Sequence, residues 1–174
     1  EGKTPGFVNG GKGQEGAILS SVKAWCGPGS KVQAPSQVVT YVSAHDNWTL
    51  WDKLSLTVED EAERMRANRM AAAVYMTCQG RIFFLSGEEA SRTKGGLENS
   101  YNAPIEINRL DWNRMYEQYE LVEYYSGLIA LRKRLPGLCD KSEDAWKRIR
   151  DEWKTDGVVG FLVDNHSESQ PSLW

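Results

Sequence analysis

The chain has 174 residues, 40% apolar and 26% charged, and its 21 Lys and Arg against 24 Asp and Glu leave a net charge of −3. That is ordinary globular composition, long enough for one core and too short for two full-sized domains. Charges of both signs are interspersed, so no basic stripe marks a nucleic-acid partner, and no apolar run approaches the roughly 20 residues that span a membrane.

Residues 1–16 are polar and Gly-rich, with no apolar stretch of the kind a signal peptide needs, so none is expected there. Glycines punctuate residues 1–36, and the spacing predicts one short helix over 17–25. Residues 38–43, VVTYVS, are β-branched and aromatic and read as a strand covered on both faces. Thr57, with Asp60 three residues on, predicts the start of a long helix that Gly80 ends. Residues 81–86, RIFFLS, read as a second buried strand. Strand, long helix and strand form a βαβ unit, whose strands are parallel and whose crossover is right-handed. An ordered loop is expected over 87–111, because Tyr101, Ile105, Ile107, Leu110 and Trp112 are embedded in it. A second long helix follows over 113–135, ended by Pro136-Gly137. Then come a short helix over 142–153, capped by Ser142, a strand over 158–163, and a turn or chain end over 166–174.

The three cysteines, Cys26, Cys78 and Cys139, are widely spaced, and the two histidines, His45 and His166, are far apart. Neither a disulfide framework nor a zinc site is expected. No cofactor is called for, and calcium use is not readable in these residues.

Both buried strands run into polar clusters, Ala44-His45-Asp46-Asn47 after the first and Gly87-Glu88-Glu89 after the second. Sites in parallel α/β folds form at the carboxyl ends of strands. Neighbouring strands about 4.8 Å apart would bring His45, Asp46, Glu88 and Glu89 near one pocket. On position alone, a turn capped by Asp46 and Asn47 beside solvated glutamates is an equal reading.

Residues 41–54 (YVSAHDNWTLWDKL), 81–96 (RIFFLSGEEASRTKGG) and 98–114 (ENSYNAPIEINRLDWNR) carry a resemblance. They resemble strands seven and eight of the type I pullulanases in the α-amylase superfamily. The resemblance is strong over 35–136 and weaker over 158–165. It implies an α/β fold: the last part of a (β/α)₈ TIM barrel in residues 1–136, then the start of a C-terminal β-domain in 137–174. It also implies a retaining glycoside hydrolase that cleaves α-1,6-glucosidic bonds in pullulan and branched starch or glycogen, so an α-glucan is the expected partner. Asp46 matches the family's third carboxylate, which stabilises the oxocarbenium-like transition state through the sugar hydroxyls. His45 matches a donor to the same sugar. Asn47, Asn99, Tyr101 and Asn102 fall at further substrate-binding positions. Trp48 is a candidate stacking surface, whereas Trp51 is expected to pack beneath the loop, and Glu88 and Glu89 to make structural hydrogen bonds. The family's nucleophile and general acid/base motifs do not occur in these residues. The isolated chain is therefore expected to be inactive, and to need the rest of a barrel or to self-associate. The rival readings are an isoamylase or other glycogen-debranching relative, which SYNAPIEINRLDW disfavours, and a non-catalytic carbohydrate-binding or structural module.

Overall fold

The computed structural model describes residues 2–167 and shows a mixed α/β arrangement. Helix α1 (Glu15–Val22) ends three residues before the predicted limit. Strands β1 (Val39–Thr40) and β2 (Arg81–Ile82) pair in parallel, with Val39 opposite Arg81 and Thr40 opposite Ile82. Between them lie a short helix, α2 (Leu50–Ser55), and the long α3 (Glu61–Met76). The βαβ unit is thus as expected, but the strands are shorter than the β-branched runs that contain them. Their ladder extends only to Phe83 N donating to Thr40 O at 3.1 Å.

Two details of this unit correct the reading from sequence. The strands are covered on one side only: Val42, Ile82 and Phe84 pack against the core of α3 and the later helices. On the other side Val39 and Tyr41 are each 54% exposed, and Phe83 meets Tyr41 edge-on there at 6.0 Å. The cap of α3 is Asp60, which accepts from Glu63 N at 2.8 Å, with Glu61 and Glu63 complementing the helix dipole. Thr57 instead closes the preceding turn, donating to Leu54 O and accepting from Asn9. At the far end Gly80 takes φ +93°, and a Cβ there would sit 3.1 Å from Pro35 O, so only glycine lets the chain turn from α3 into β2 against that backbone.

The expected helix over 113–135 is two helices, α5 (Trp112–Glu117) and α6 (Tyr119–Lys133), after a single turn α4 (Ile105–Asn108). Gln118, at φ −101° and ψ 31°, breaks the line, with neither proline nor glycine to announce it. Leu121 and Tyr125 of α6 close the main core against Ala72, Tyr75 and Met76 of α3, the spacing by which one helix face buries a stripe. Arg132 ties the two together, donating to Met76 O, Gly80 O and Leu138 O at 2.9–3.0 Å.

After α7 (Pro136–Cys139), the helix expected over 142–153 is absent. One short 3-10 turn, Ala145–Arg148, leads into β3 (Ile149–Thr155), which pairs antiparallel with β4 (Val158–Val163) around Asp156-Gly157. Gly157 takes a positive φ, +73°, at the second position of the turn between the paired Thr155 and Val158, a conformation glycine adopts without strain. The hairpin lies on α1: Glu15 accepts from Gly157 N at 2.9 Å, and Lys23 pairs with Glu152 at 2.8 Å. Val22, Cys78, Leu138 and Ile149 form the cluster beneath it. The buried amide of Gln79 donates to Gly137 O at 2.8 Å and Ala145 O at 2.6 Å. The turn or end expected over 166–174 lies almost wholly outside the described residues.

Candidate functional site

The carboxyl end of β1 leads into a loop whose two ends are anchored. At its root the buried Ser43 donates to Glu88 Oε2 at 2.5 Å. At its far end Thr49 caps α2, accepting from Asp52 N at 3.1 Å. Between them Asn47 takes φ +63°, a left-handed conformation that asparagine tolerates better than most residues. The turn leaves His45 and Asp46 projecting outward, their side chains 84% and 73% exposed, with His45 Nε2 3.3 Å from Asp46 Oδ2. Both line a cleft of about 790 Å³, together with Tyr41, Ser43, Asn47, Trp48 and Glu98. A carboxylate and an imidazole so placed can bind hydroxyls, and the carboxylate places negative charge where a cation would develop.

The cleft does not gather every residue expected of it. Asn99, Tyr101 and Asn102 are exposed, Tyr101 at 81%, and none of them is among the cleft's lining residues. Their neighbour Glu98 is, and no local pattern marked it. Trp48 forms part of the wall, held by a hydrogen bond from its Nε1 to Gly96 O at 3.1 Å. Trp51 is buried beneath, between the guanidinium groups of Arg64 and Arg114, which lie 5.0 and 5.6 Å from its ring centroid.

Glu88 and Glu89 do not share that pocket, which corrects the simplest reading of the strand-end rule. Glu88 is buried behind it and accepts from Ser43, Tyr75 and Tyr125, the last two at 2.8 and 2.9 Å. Burial pushes its carboxyl above the ordinary range, although all three hydroxyls favour the charged form. Glu89 accepts from Gly87 N at 2.9 Å. Both make the structural hydrogen bonds expected of them.

A second charged group lies behind the loop, at a position sequence reading passed over. Lys94 is 4% exposed, and its Nζ donates to His45 O at 2.8 Å and to Ser100 Oγ at 2.7 Å. Its backbone N–H donates to Asp52 Oδ2 at 2.7 Å. Desolvation, then Arg92, holds the ammonium below its usual value, while Asp52 and Asp46 pull it the other way. Among the described residues no group of three or more His, Cys, Asp or Glu side chains could hold a metal ion.

No family model matches the chain. It is 39% identical over 139 residues to a pullulanase of Bacillus subtilis, a match covering 77% of this chain and 19% of that protein. It superposes on a crystal structure of pullulanase from Paenibacillus barengoltzii, in complex with maltohexaose and alpha-cyclodextrin, with TM-score 0.87 and 39% identity, over 92% of this chain and 26% of that one. A pullulanase from Bacillus acidopullulyticus matches with TM-score 0.86 and 34% identity, over 92% of this chain and 20% of that one. The chain thus spans about a fifth to a quarter of the length of these relatives. By sequence and by fold the chain belongs to the pullulanase family.

Proposed function

We infer that the chain forms the strand-seven and strand-eight end of a (β/α)₈ barrel in a retaining glycoside hydrolase that cleaves α-1,6-glucosidic bonds of pullulan and branched α-glucans. β1 and β2 are then neighbouring barrel strands, and their exposed apolar face turns toward the barrel interior. Residues 1–136 belong to the barrel, and the hairpin after them opens the C-terminal β-domain. The observation that carries the reading is the exposed His45–Asp46 pair, set at the carboxyl end of a strand in a parallel pair and opening into a cleft. Active sites of such barrels lie at that end of the strands.

Asp46 is the transition-state stabiliser. Its carboxylate accepts from hydroxyls of the sugar in the cleaved subsite, bonds that strengthen as positive charge grows at the anomeric carbon. His45 donates to the same sugar, and Asn47 completes the contact from the turn. Asn99, Tyr101 and Asn102 approach the substrate from the rim, on the loop that brings Glu98 to the cleft. The nucleophile and the general acid/base come from other strands of the barrel, so the 174 residues alone do not turn over substrate.

The test is product analysis on pullulan with the intact enzyme that carries this chain. Release of maltotriose, first seen as the α-anomer by NMR, is expected. Cleavage confined to α-1,4 bonds, or first release of the β-anomer, would overturn the reading.

A further inference from the structure

Lys94 is a buried cation that the proposed chemistry does not use, and its contacts close a ring behind the His45–Asp46 loop. The cap of helix α2, Thr49, lies three residues after Asp46. From that helix the buried Asp52 reaches across to residues 93 and 94, accepting from Thr93 Oγ1 and from Lys94 N. From there the Lys94 side chain returns to the carbonyl of His45, with Ser100 as its second acceptor. The carbonyl of His45 and the amide nitrogen of Asp46 share one planar peptide unit. A donor that fixes that carbonyl therefore fixes the plane from which the Asp46 side chain departs. Among the described residues no other hydrogen bond reaches that peptide, and the ion-pair partner of Asp46 is His45, with Lys94 near enough to act on it electrostatically.

We propose that Lys94 is a positioning residue for Asp46, setting the direction in which its carboxylate enters the cleft. This rests on the reading of Asp46 as the transition-state stabiliser. Misplacing a catalytic group by about 1 Å can cost on the order of 10²-fold in rate. The loss should fall on kcat, because an interaction made in the transition state is weakened while ground-state binding elsewhere persists.

The experiment is a double-mutant cycle on pullulan in the intact enzyme, with Lys94→Met and Asp46→Asn made singly and together. Lys94→Met keeps the stem and removes the ammonium, and is expected to lower kcat about 10- to 100-fold with KM little changed. In the Asp46→Asn background the same substitution should cost less than about twofold, since the group it positions no longer acts. An equal loss in both backgrounds, or an unchanged kcat for Lys94→Met, would overturn the proposal. A merely structural role gives the equal loss. If Asp46→Asn alone left kcat intact, the reading of Asp46 would fail instead, so the two failures are distinguishable. Should Lys94→Met not fold, Ser100→Ala takes its place in the cycle. It removes one acceptor and keeps the charge, and is expected to lower kcat about threefold, in the Asp46 background only.

Discussion

Replacing Glu88 with alanine removes the acceptor for three hydroxyls at once, those of Ser43, Tyr75 and Tyr125. Hydrogen bonds to a charged group contribute about 1.5–3 kcal/mol each, but an ionised carboxyl also carries a desolvation cost of several kcal/mol, which the substitution relieves. The substitution leaves three buried hydroxyls without their acceptor, at about 1–3 kcal/mol each, and against the relieved desolvation the net loss should be about 3 kcal/mol. Glu89→Ala is the control, because Glu89 accepts only the nearby Gly87 N–H, and it should cost under about 1 kcal/mol. The assay is urea denaturation of the intact protein followed by near-ultraviolet circular dichroism, which reports on the packing of Tyr75 and Tyr125. Glu88→Ala should unfold at a clearly lower urea midpoint than Glu89→Ala. Equal midpoints would refute the hydrogen-bonded network as a source of stability.

The same residue gives a pH dependence of definite sign. The folded-state value for Glu88 lies above its ordinary 4.5, so between the two the folded chain holds a proton that the unfolded chain has lost. Its stabilising contribution is complete below 4.5 and is lost as pH rises through the folded value. Unfolding measured as pH rises from 4.5 should show stability falling with a slope that Glu88→Gln flattens; parallel curves would contradict it. Of the three cysteines, Cys139 is exposed whereas Cys26 and Cys78 are buried, with burial pushing Cys78 up to about 12. A thiol-specific reagent should therefore label Cys139 in the native protein and all of them after denaturation, and native labelling of Cys78 would place the 78–81 turn wrongly. The isolated 174 residues expose Val39, Tyr41 and Phe83 along open strands, so they should self-associate in sedimentation. A monomer with a sharp thermal transition would count against this.

What could be read in advance followed from local rules. Apolar, β-branched and aromatic runs on either side of a long Ala-containing helix identified β1, α3 and β2, and the strand-end rule together with the resemblance pointed to His45 and Asp46. The failures lie where distant partners decide. Residues 142–153 read as a helix capped by Ser142, but from 149 onward the chain pairs with 158–163 across Asp156-Gly157. The second apolar face of the strands is open in these residues, and in the barrel reading it is the face that the remaining strands would cover. Lys94 was invisible as a site residue, since its contacts with His45 and Asp52 join positions 49 and 42 residues apart. Nothing in the local run Arg92-Thr93-Lys94-Gly95-Gly96 distinguishes a buried lysine from a solvated one.

Asp46→Asn in the intact enzyme tests the assignment of this cleft most directly. The substitution keeps the size of the side chain and removes its charge, and the side chain is 73% exposed and pairs with the likewise exposed His45, so the melting temperature should not move. A neutral amide does not offset positive charge at the anomeric carbon, and removing one preorganised electrostatic group costs on the order of 10²–10³ in kcat. The expected result on pullulan is a fall in kcat of that size with little change in KM, the pattern of an interaction made in the transition state. A near-normal kcat would contradict the assignment, and with it the placement of the active site at the carboxyl end of β1.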